Sequence, residues 1–125
     1  MTQSLEDYLE AVFMLIDEGR PAQVHDVAEM LSVKMPSVVK ALHELKKLAL
    51  VTQEPYCGIR LTESGRREAS KILERHTLLR EFLLKLGVGS RTADRDACLM
   101  EHILSAETLR CIRIYTEKKH DEKPD

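Results

Sequence analysis

Residues 24–48 read VHDVAEMLSVKMPSVVKALHELKKL, and the punctuation of this stretch decides the fold. A short segment from about His25 to Leu31 carries Val27, Ala28 and Leu31 at the spacing of one helical face. Ser32-Val33-Lys34 is a short connection. Pro36 then opens another helix in its first turn, where a missing N–H costs nothing, and Val38, Leu42, Leu45 and Leu48 form its inward side. Two short helices joined by a tight turn are a helix-turn-helix.

Working outward, Ser4 precedes the apolar-periodic run Leu5, Leu9, Val12, Phe13, Leu15 and Ile16, which predicts a first helix capped by Ser4, with Asp7 three residues on as in a capping box, and ending before Gly19-Arg20-Pro21. On the other side, Val51-Thr52-Gln53-Glu54 and Ile59-Arg60-Leu61-Thr62 flank Pro55-Tyr56-Cys57-Gly58, a strand, turn and strand. Helix, turn, helix and hairpin in that order are a winged helix-turn-helix. Thr62-Glu63-Ser64-Gly65 begins a long helical stretch to about Leu86, with a possible break near His76. Gly87-Val88-Gly89-Ser90 is a hinge. Thr92 to Leu104 and Ala106 to Lys118 read as two further helices before a polar tail, His120 to Asp125. The expected fold is mainly α, with an N-terminal winged helix-turn-helix in residues 1–70 and an all-helical dimerisation domain in residues 71–125.

The 125 residues are 43% hydrophobic and 32% charged, which suits one compact unit or two small ones and leaves no room for a large enzyme. No run of about 18 apolar residues and no basic segment followed by an apolar one occurs, so neither a membrane span nor a signal peptide is expected, and the default compartment is the cytoplasm. Cys57, Cys98 and Cys111 are too few for a disulfide framework. The formal net charge of −2 alone argues against bulk electrostatic binding to nucleic acid. Its distribution argues otherwise. Residues 1–33 hold one basic and seven acidic side chains, residues 34–71 eight basic and four acidic, and residues 72–125 ten of each. An acidic first segment and a basic middle one place cation binding and anion binding in different parts of the chain.

In a winged helix the second helix of the pair enters the major groove. Here its outward face carries Pro36, Ser37, Val39, Lys40, His43, Glu44 and Lys47. Ser37 can meet a base or phosphate, Lys40 a guanine or phosphate, and Val39 a thymine methyl. Lys34, Arg60, Arg66 and Arg67 are candidate backbone contacts. Charges on a helix face are as often only its solvated side, so the order of the elements is the more specific signal.

A second group of residues points to a metal. Asp7 and Glu10 lie three apart on one helical face, Cys98, Glu101 and His102 at i, i+3 and i+4 on another, and His76 precedes the hinge. Each alone has a plain structural explanation. Together, carboxylates, imidazoles and one thiolate on three helices make a divalent site of mixed hard and borderline ligands. There are no paired C-x-x-C motifs of structural zinc and no catalytic motif, so no enzyme activity is expected.

The stretch Ser4-Leu5-Glu6-Asp7-Tyr8-Leu9-Glu10, the helix pair, the wing with Leu61-Thr62-Glu63-Ser64-Gly65, Arg75-His76, and Cys98-Leu99-Met100-Glu101-His102-Ile103-Leu104-Ser105 resemble the diphtheria toxin repressor family of metal-dependent transcription regulators, in its short, manganese-regulator branch without the SH3-like domain. The resemblance implies a metal held between an N-terminal winged helix and a dimerisation domain by Asp7, Glu10, His76, Cys98, Glu101 and His102. Asp7 and Glu10 match the manganese-type pattern, whereas Cys98 stands where manganese-type members have glutamate and iron-type members cysteine. Arg80 and Asp94 stand where iron-type members have a glutamate and a histidine at an ancillary metal, which implies an ion pair between them in place of that metal.

A chain of this size has a radius of gyration of about 14 Å, so one copy covers one half-site, and a palindromic DNA operator needs two readers about 34 Å apart. A homodimer is expected, with Leu73, Leu78, Leu79, Phe82, Leu83, Leu86, Ile103, Leu104, Leu109 and Ile112 supplying both core and interface. The cofactor is a divalent transition metal, Fe²⁺ slightly favoured over Mn²⁺ because of Cys98. The alternative is a metal-independent winged-helix regulator or protein-interaction module.

Overall fold

The computed structural model describes residues 1–55 and 58–121, with side chains to residue 118. The expected hairpin tip at Tyr56 and Cys57 and the end of the polar tail lie outside the described residues. The elements are α1 (Gln3–Asp17), α2 (Val24–Leu31), α3 (Met35–Lys47), β1 (Val51–Glu54), β2 (Gly58–Leu61), α4 (Glu63–Lys85), α5 (Ser90–Met100) and α6 (Ala106–Asp121). The protein is mainly α, a winged helix-turn-helix followed by helices alone. It divides into two compact units, Met1–Lys71 and the residues from Ile72 onward.

In the first unit, α1 starts earlier than the sequence reading placed it. Thr2, not Ser4, is the N-cap, its Oγ1 accepting the Leu5 N–H at 3.2 Å, and Ser4 is already helical. The cap residue is the one whose side chain reaches an orphan N–H, and Thr2 satisfies that need. The α2 helix is pinned at its start by the Gln23 N–H donating to the Asp26 carboxylate at 3.1 Å. It ends where Ser32 takes the left-handed conformation (φ 55°) and the Val33 N–H donates to the Ala28 carbonyl at 3.0 Å. That turn aims α3. Pro36 sits in the first turn of α3, as expected.

Helices α1, α2 and α3 pack on one another around Leu9, Val12, Leu15, Val27, Val38 and Leu45, all fully buried. Burial of each such side chain contributes about 1.5–3 kcal/mol. Leu48 departs from expectation. It caps the end of α3 and is 51% exposed, because Ala49 turns the chain through φ 58° and hands the buried position to Leu50. In the hairpin, β1 and β2 are antiparallel with Val51 opposite Leu61 and Gln53 opposite Ile59, so Val51 and Ile59 share the buried face. The Ile59 N–H also donates to the Ala22 carbonyl at 2.8 Å, tying the wing to the chain just before α2.

The entry to α4 is held tightly. The Thr62 hydroxyl donates to the Ala49 carbonyl at 2.7 Å and accepts the Gly65 N–H at 2.9 Å, while the Thr62 N–H donates to the Leu50 carbonyl at 3.1 Å. A Cβ at Gly65 would stand 1.9 Å from the Leu50 oxygen, so this position tolerates only hydrogen.

The α4 helix then runs unbroken from Glu63 to Lys85. The break considered near His76 does not occur, since no glycine or proline follows Gly65 within it. Gly87, at φ 98°, closes it, with the Val88 N–H donating to the Leu83 carbonyl at 3.0 Å. In the second unit Leu79 and Leu83, one turn apart on α4, form a buried core with Ala93 and Ala97, one turn apart on α5. Phe82, Val88, Met100, Leu104, Leu109 and Ile112 pack against it, whereas Leu86 and Ile103 are largely exposed.

The α5 helix stops at Met100 rather than Leu104. Ser105 explains the stop: its Oγ accepts the Thr108 N–H at 3.1 Å and so caps α6, which requires the chain to leave the previous helix first. The Lys85 ammonium donates to the Thr116 carbonyl at 3.1 Å, joining the end of α4 to α6. Among the described residues no helix is long and apolar enough to cross a membrane.

Gly65→Ala should destabilise the fold by about 2–3 kcal/mol, because backbone rather than a flexible side chain blocks the added methyl. Urea unfolding at fixed protein concentration would show the midpoint falling with an unchanged m-value, and an unchanged midpoint would contradict the close approach.

Candidate metal centre and nucleic-acid interface

In the first unit, the tight turn at Ser32 and the buried side of α3 leave one long face of that helix in solvent. Val38, Ala41, Leu42 and Leu45 are buried, whereas Lys34, Pro36, Ser37, Val39, Lys40, His43 and Lys47 are exposed. Arg60 is exposed on β2, opposite Thr52, on the face of the hairpin away from the core. Among the described residues, no ion pair within the chain engages Lys34, Lys40 or Arg60. Others on the surface are less available. Lys47 lies 3.7 Å from Glu44, Arg67 lies 3.3 Å from Glu63, and Lys46 donates to Gln53 at 2.8 Å. Met35, which sequence reading left out, is 49% exposed at the start of α3. Its place beside Pro36 was the available signal. Asp7 and Glu10 belong to this unit, three residues apart on α1 and both half-buried. With Thr2 as the cap, Asp7 is not part of a capping box with Ser4.

The second unit gathers four of the six expected ligands. Cys98 is in the last turn of α5, and Glu101 caps that helix with its N–H donating to the Ala97 carbonyl at 3.0 Å. His102 follows in the turn made necessary by the Ser105 cap. The i, i+3, i+4 spacing thus brings the three together although the helix ends between them, and one ligand atom from each lies within 4.8 Å of the others. The Glu101 side chain is fully buried. One of its oxygens, Oε1, is 3.3 Å from His102 Nε2, and the other, Oε2, is 3.8 Å from His76 Nδ1.

A carboxylate taken out of water is stabilised only by compensating charge and hydrogen bonds. Two ligands sharing an ion through bonds of about 2.1 Å stand about 3–4 Å apart, which is the separation on both sides of Glu101. Burial, the largest influence, pushes the His76 pKa below its ordinary 6.5, the nearby Asp94 opposing and Arg80 reinforcing that shift. His76 is therefore neutral near pH 7, as a metal ligand must be. Two imidazoles, a carboxylate and a thiol fit a first-row divalent ion.

Behind His76 stands the expected ion pair. Arg80 Nε donates to Asp94 Oδ1 at 2.5 Å, and the same oxygen is 3.9 Å from His76 Nε2. Both partners are more than a third exposed, so the pair contributes at most about 1 kcal/mol to stability. The approach of Asp94 to His76 was missed in the sequence. The i, i+4 spacing of His76 and Arg80 was its only trace.

Comparison with known proteins bears on both halves. Residues 1–59 match the N-terminal DNA-binding domain of iron-dependent repressors, and residues 62–123 match their metal-binding and dimerisation domain. An uncharacterized HTH-type transcriptional regulator of Methanocaldococcus jannaschii is 42% identical over 124 residues, covering 98% of this chain and 99% of its own length. The transcriptional regulator MntR of Escherichia coli O6:H1 is 40% identical over 114 residues, 91% of this chain and 74% of that protein. The structure of the manganese regulator SloR superposes with a TM-score of 0.83 at 26% identity, over 94% of this chain and 55% of that one. The chain thus spans about half the length of that solved structure. With both domains matched in order and relatives at 40% identity and above, the chain belongs to the iron-dependent repressor family, the diphtheria toxin repressor family of metal-dependent regulators that its sequence resembles.

Proposed function

We propose that this protein is a homodimeric, cytoplasmic repressor of metal uptake genes. In this reading it binds a palindromic operator when a divalent cation, Fe²⁺ slightly favoured over Mn²⁺, is held by Asp7, Glu10, His76, Cys98, Glu101 and His102, and it carries out no catalysis. The observation that carries the reading is the buried Glu101 carboxylate set between two imidazoles with a thiol beside it. Residues 1–70 act as the DNA-binding domain and residues 71–125 as the metal-binding and dimerisation domain.

When bound, the cation supplies the positive charge that offsets the acidic ligands. Glu101 and its neighbours His76, Cys98 and His102 hold it, and Asp7 and Glu10 add carboxylate oxygens from α1. Because α1 packs on α3, engagement of α1 is felt by the recognition helix. There Ser37, Val39, Lys40 and His43 face the bases, and Lys34, Pro36, Lys47 and Arg60 adjoin the backbone. Metal and DNA then favour one state, and each tightens the other.

The likeness to a manganese regulator supports Mn²⁺, whereas a thiolate donor supports Fe²⁺. The Arg80–Asp94 pair is read as a fixed link where a second ion would otherwise sit. The competing reading is a metal-independent winged-helix regulator, in which DNA binding ignores chelation.

Gel-shift titration with an operator fragment under anaerobic conditions should show affinity falling about 5- to 150-fold on chelation; equal affinity with and without metal would remove the switch. Lys40→Ala should weaken operator binding by about 1–3 kcal/mol and leave metal stoichiometry unchanged, whereas coupled loss of both would place Lys40 outside the DNA surface. Cys98→Glu should move the activating preference toward Mn²⁺ in the same assay, and an unmoved ranking would deny the thiolate its role.

A further inference from the structure

We propose that Asp94, anchored by Arg80, is a positioning residue for His76: standing 3.9 Å from Nε2, it closes to accept the Nε2–H of that imidazole when the metal binds and so leaves Nδ1 to face Glu101 and the metal. This deepens the metal-site reading above and rests on it.

The argument starts from the two nitrogens of one ring. His76 lies between two carboxylates, with Nδ1 3.8 Å from Glu101 Oε2 and Nε2 3.9 Å from Asp94 Oδ1. A neutral imidazole carries one proton, and the nitrogen that carries it cannot ligate. Glu101 is fully buried beside His102 and Cys98, so Nδ1 points toward the ligand cluster. The proton belongs on Nε2, which points away from the cluster toward Asp94. Histidine ligands commonly donate their second N–H to such an outer carboxylate, which fixes both tautomer and ring orientation.

Asp94 is suited to that place because it is itself held. Its Oδ1 accepts from Arg80 Nε at 2.5 Å, and Arg80 stands one helical turn beyond His76 on α4, so both groups that Asp94 meets lie on one face of one helix. The guanidinium also balances the carboxylate charge, which keeps Asp94 an outer partner rather than a further ligand. Half-exposed on α5, Asp94 can be replaced without opening the core.

The test uses the full-length chain with Zn²⁺, a diamagnetic probe ion, at a pH well above the ordinary histidine range. Zn²⁺ affinity by competition with a chelating dye is read together with ¹⁵N–¹H spectra of the histidine rings. The parent should show a His76 Nε2–H signal slowed in exchange and a metal-shifted Nδ1. Asp94→Ala should lose that N–H signal and bind Zn²⁺ about 10- to 100-fold more weakly. Asp94→Asn keeps an oxygen acceptor without the charge, so it should retain the signal and bind within about threefold of the parent. Equal losses in Asp94→Ala and Asp94→Asn would mean a charge effect only and overturn the positioning role, as would an Asp94→Ala that binds like the parent. If Zn²⁺ leaves the parent's His76 signals unmoved, the metal reading itself falls, an outcome distinct from the other two.

Discussion

Removing a carboxylate from water costs several kcal/mol even after the protein relaxes, and Glu101, whose side chain is fully buried, imposes that cost on the second unit. The donors around it are arranged so that a bound cation would offset it. His76 reaches Glu101 from the middle of α4, and His102 from the next residue along, on opposite oxygens of the one carboxylate. Both depend on packing decided elsewhere. Ala93 and Ala97 form the face of α5 that meets Leu79 and Leu83, and their small side chains let the helix that carries Cys98 lie close to the helix that carries His76. Ser105, by capping α6, turns the chain at residues 101–103 and sets His102 beside Glu101. Electrostatics defines the site, but aliphatic packing and one serine hydroxyl bring its members together.

The same separation of tasks governs charge. A net charge of −2 describes no part of this molecule. The basic excess of residues 34–71 is carried on an exposed helix face and a strand whose apolar sides are buried, so the cations are displayed because the core requires Val38, Leu42, Leu45 and Ile59 on the opposite sides. Intramolecular pairs then sort the display. Lys46 and Arg67 are engaged by neighbours on their own or adjacent elements and Lys47 only by a weak exposed pair with Glu44, while among the described residues no ion pair engages Lys40 or Arg60, and recognition of phosphate needs long cationic side chains and little else.

Much of this was legible in residue order, and the failures have physical causes. Apolar periodicity identified every helix, and Pro36 and the strand signals placed α3 and the hairpin. Boundaries failed where a side chain's reach, rather than its type, decides. Thr2 and Ser4 are equally good caps by composition, but only Thr2 bonds the Leu5 N–H. Leu48 continues the inward periodicity of α3 by count, yet the helix ends one residue earlier. The ligands of the second unit were visible because a turn preserves the i, i+3, i+4 proximity that a helix gives. The approach of Asp94 to His76 crosses from α5 to α4, and nothing in linear spacing encodes a distance between helices.

If the proposed ligands hold the metal, the donor set would also separate tight binding from activation. A tetrahedral ion such as Zn²⁺ is satisfied by about four ligands of the imidazole, thiolate and carboxylate types, and the second unit alone offers that number. By the Irving–Williams trend such an ion binds these donors more tightly than Mn²⁺ or Fe²⁺. A ligand shifts an equilibrium only by its differential affinity for the two states. Under the proposed function, an ion content with the donors of the second unit would leave Asp7 and Glu10 unengaged and would say little to α1, however tightly it was held. An ion that prefers six ligands with several oxygens would gain by recruiting those two carboxylates and would convert binding energy into a change at the recognition helix. On that proposal the weaker-binding metal would be the better signal, because its unmet coordination demand is what would reach the DNA-binding domain.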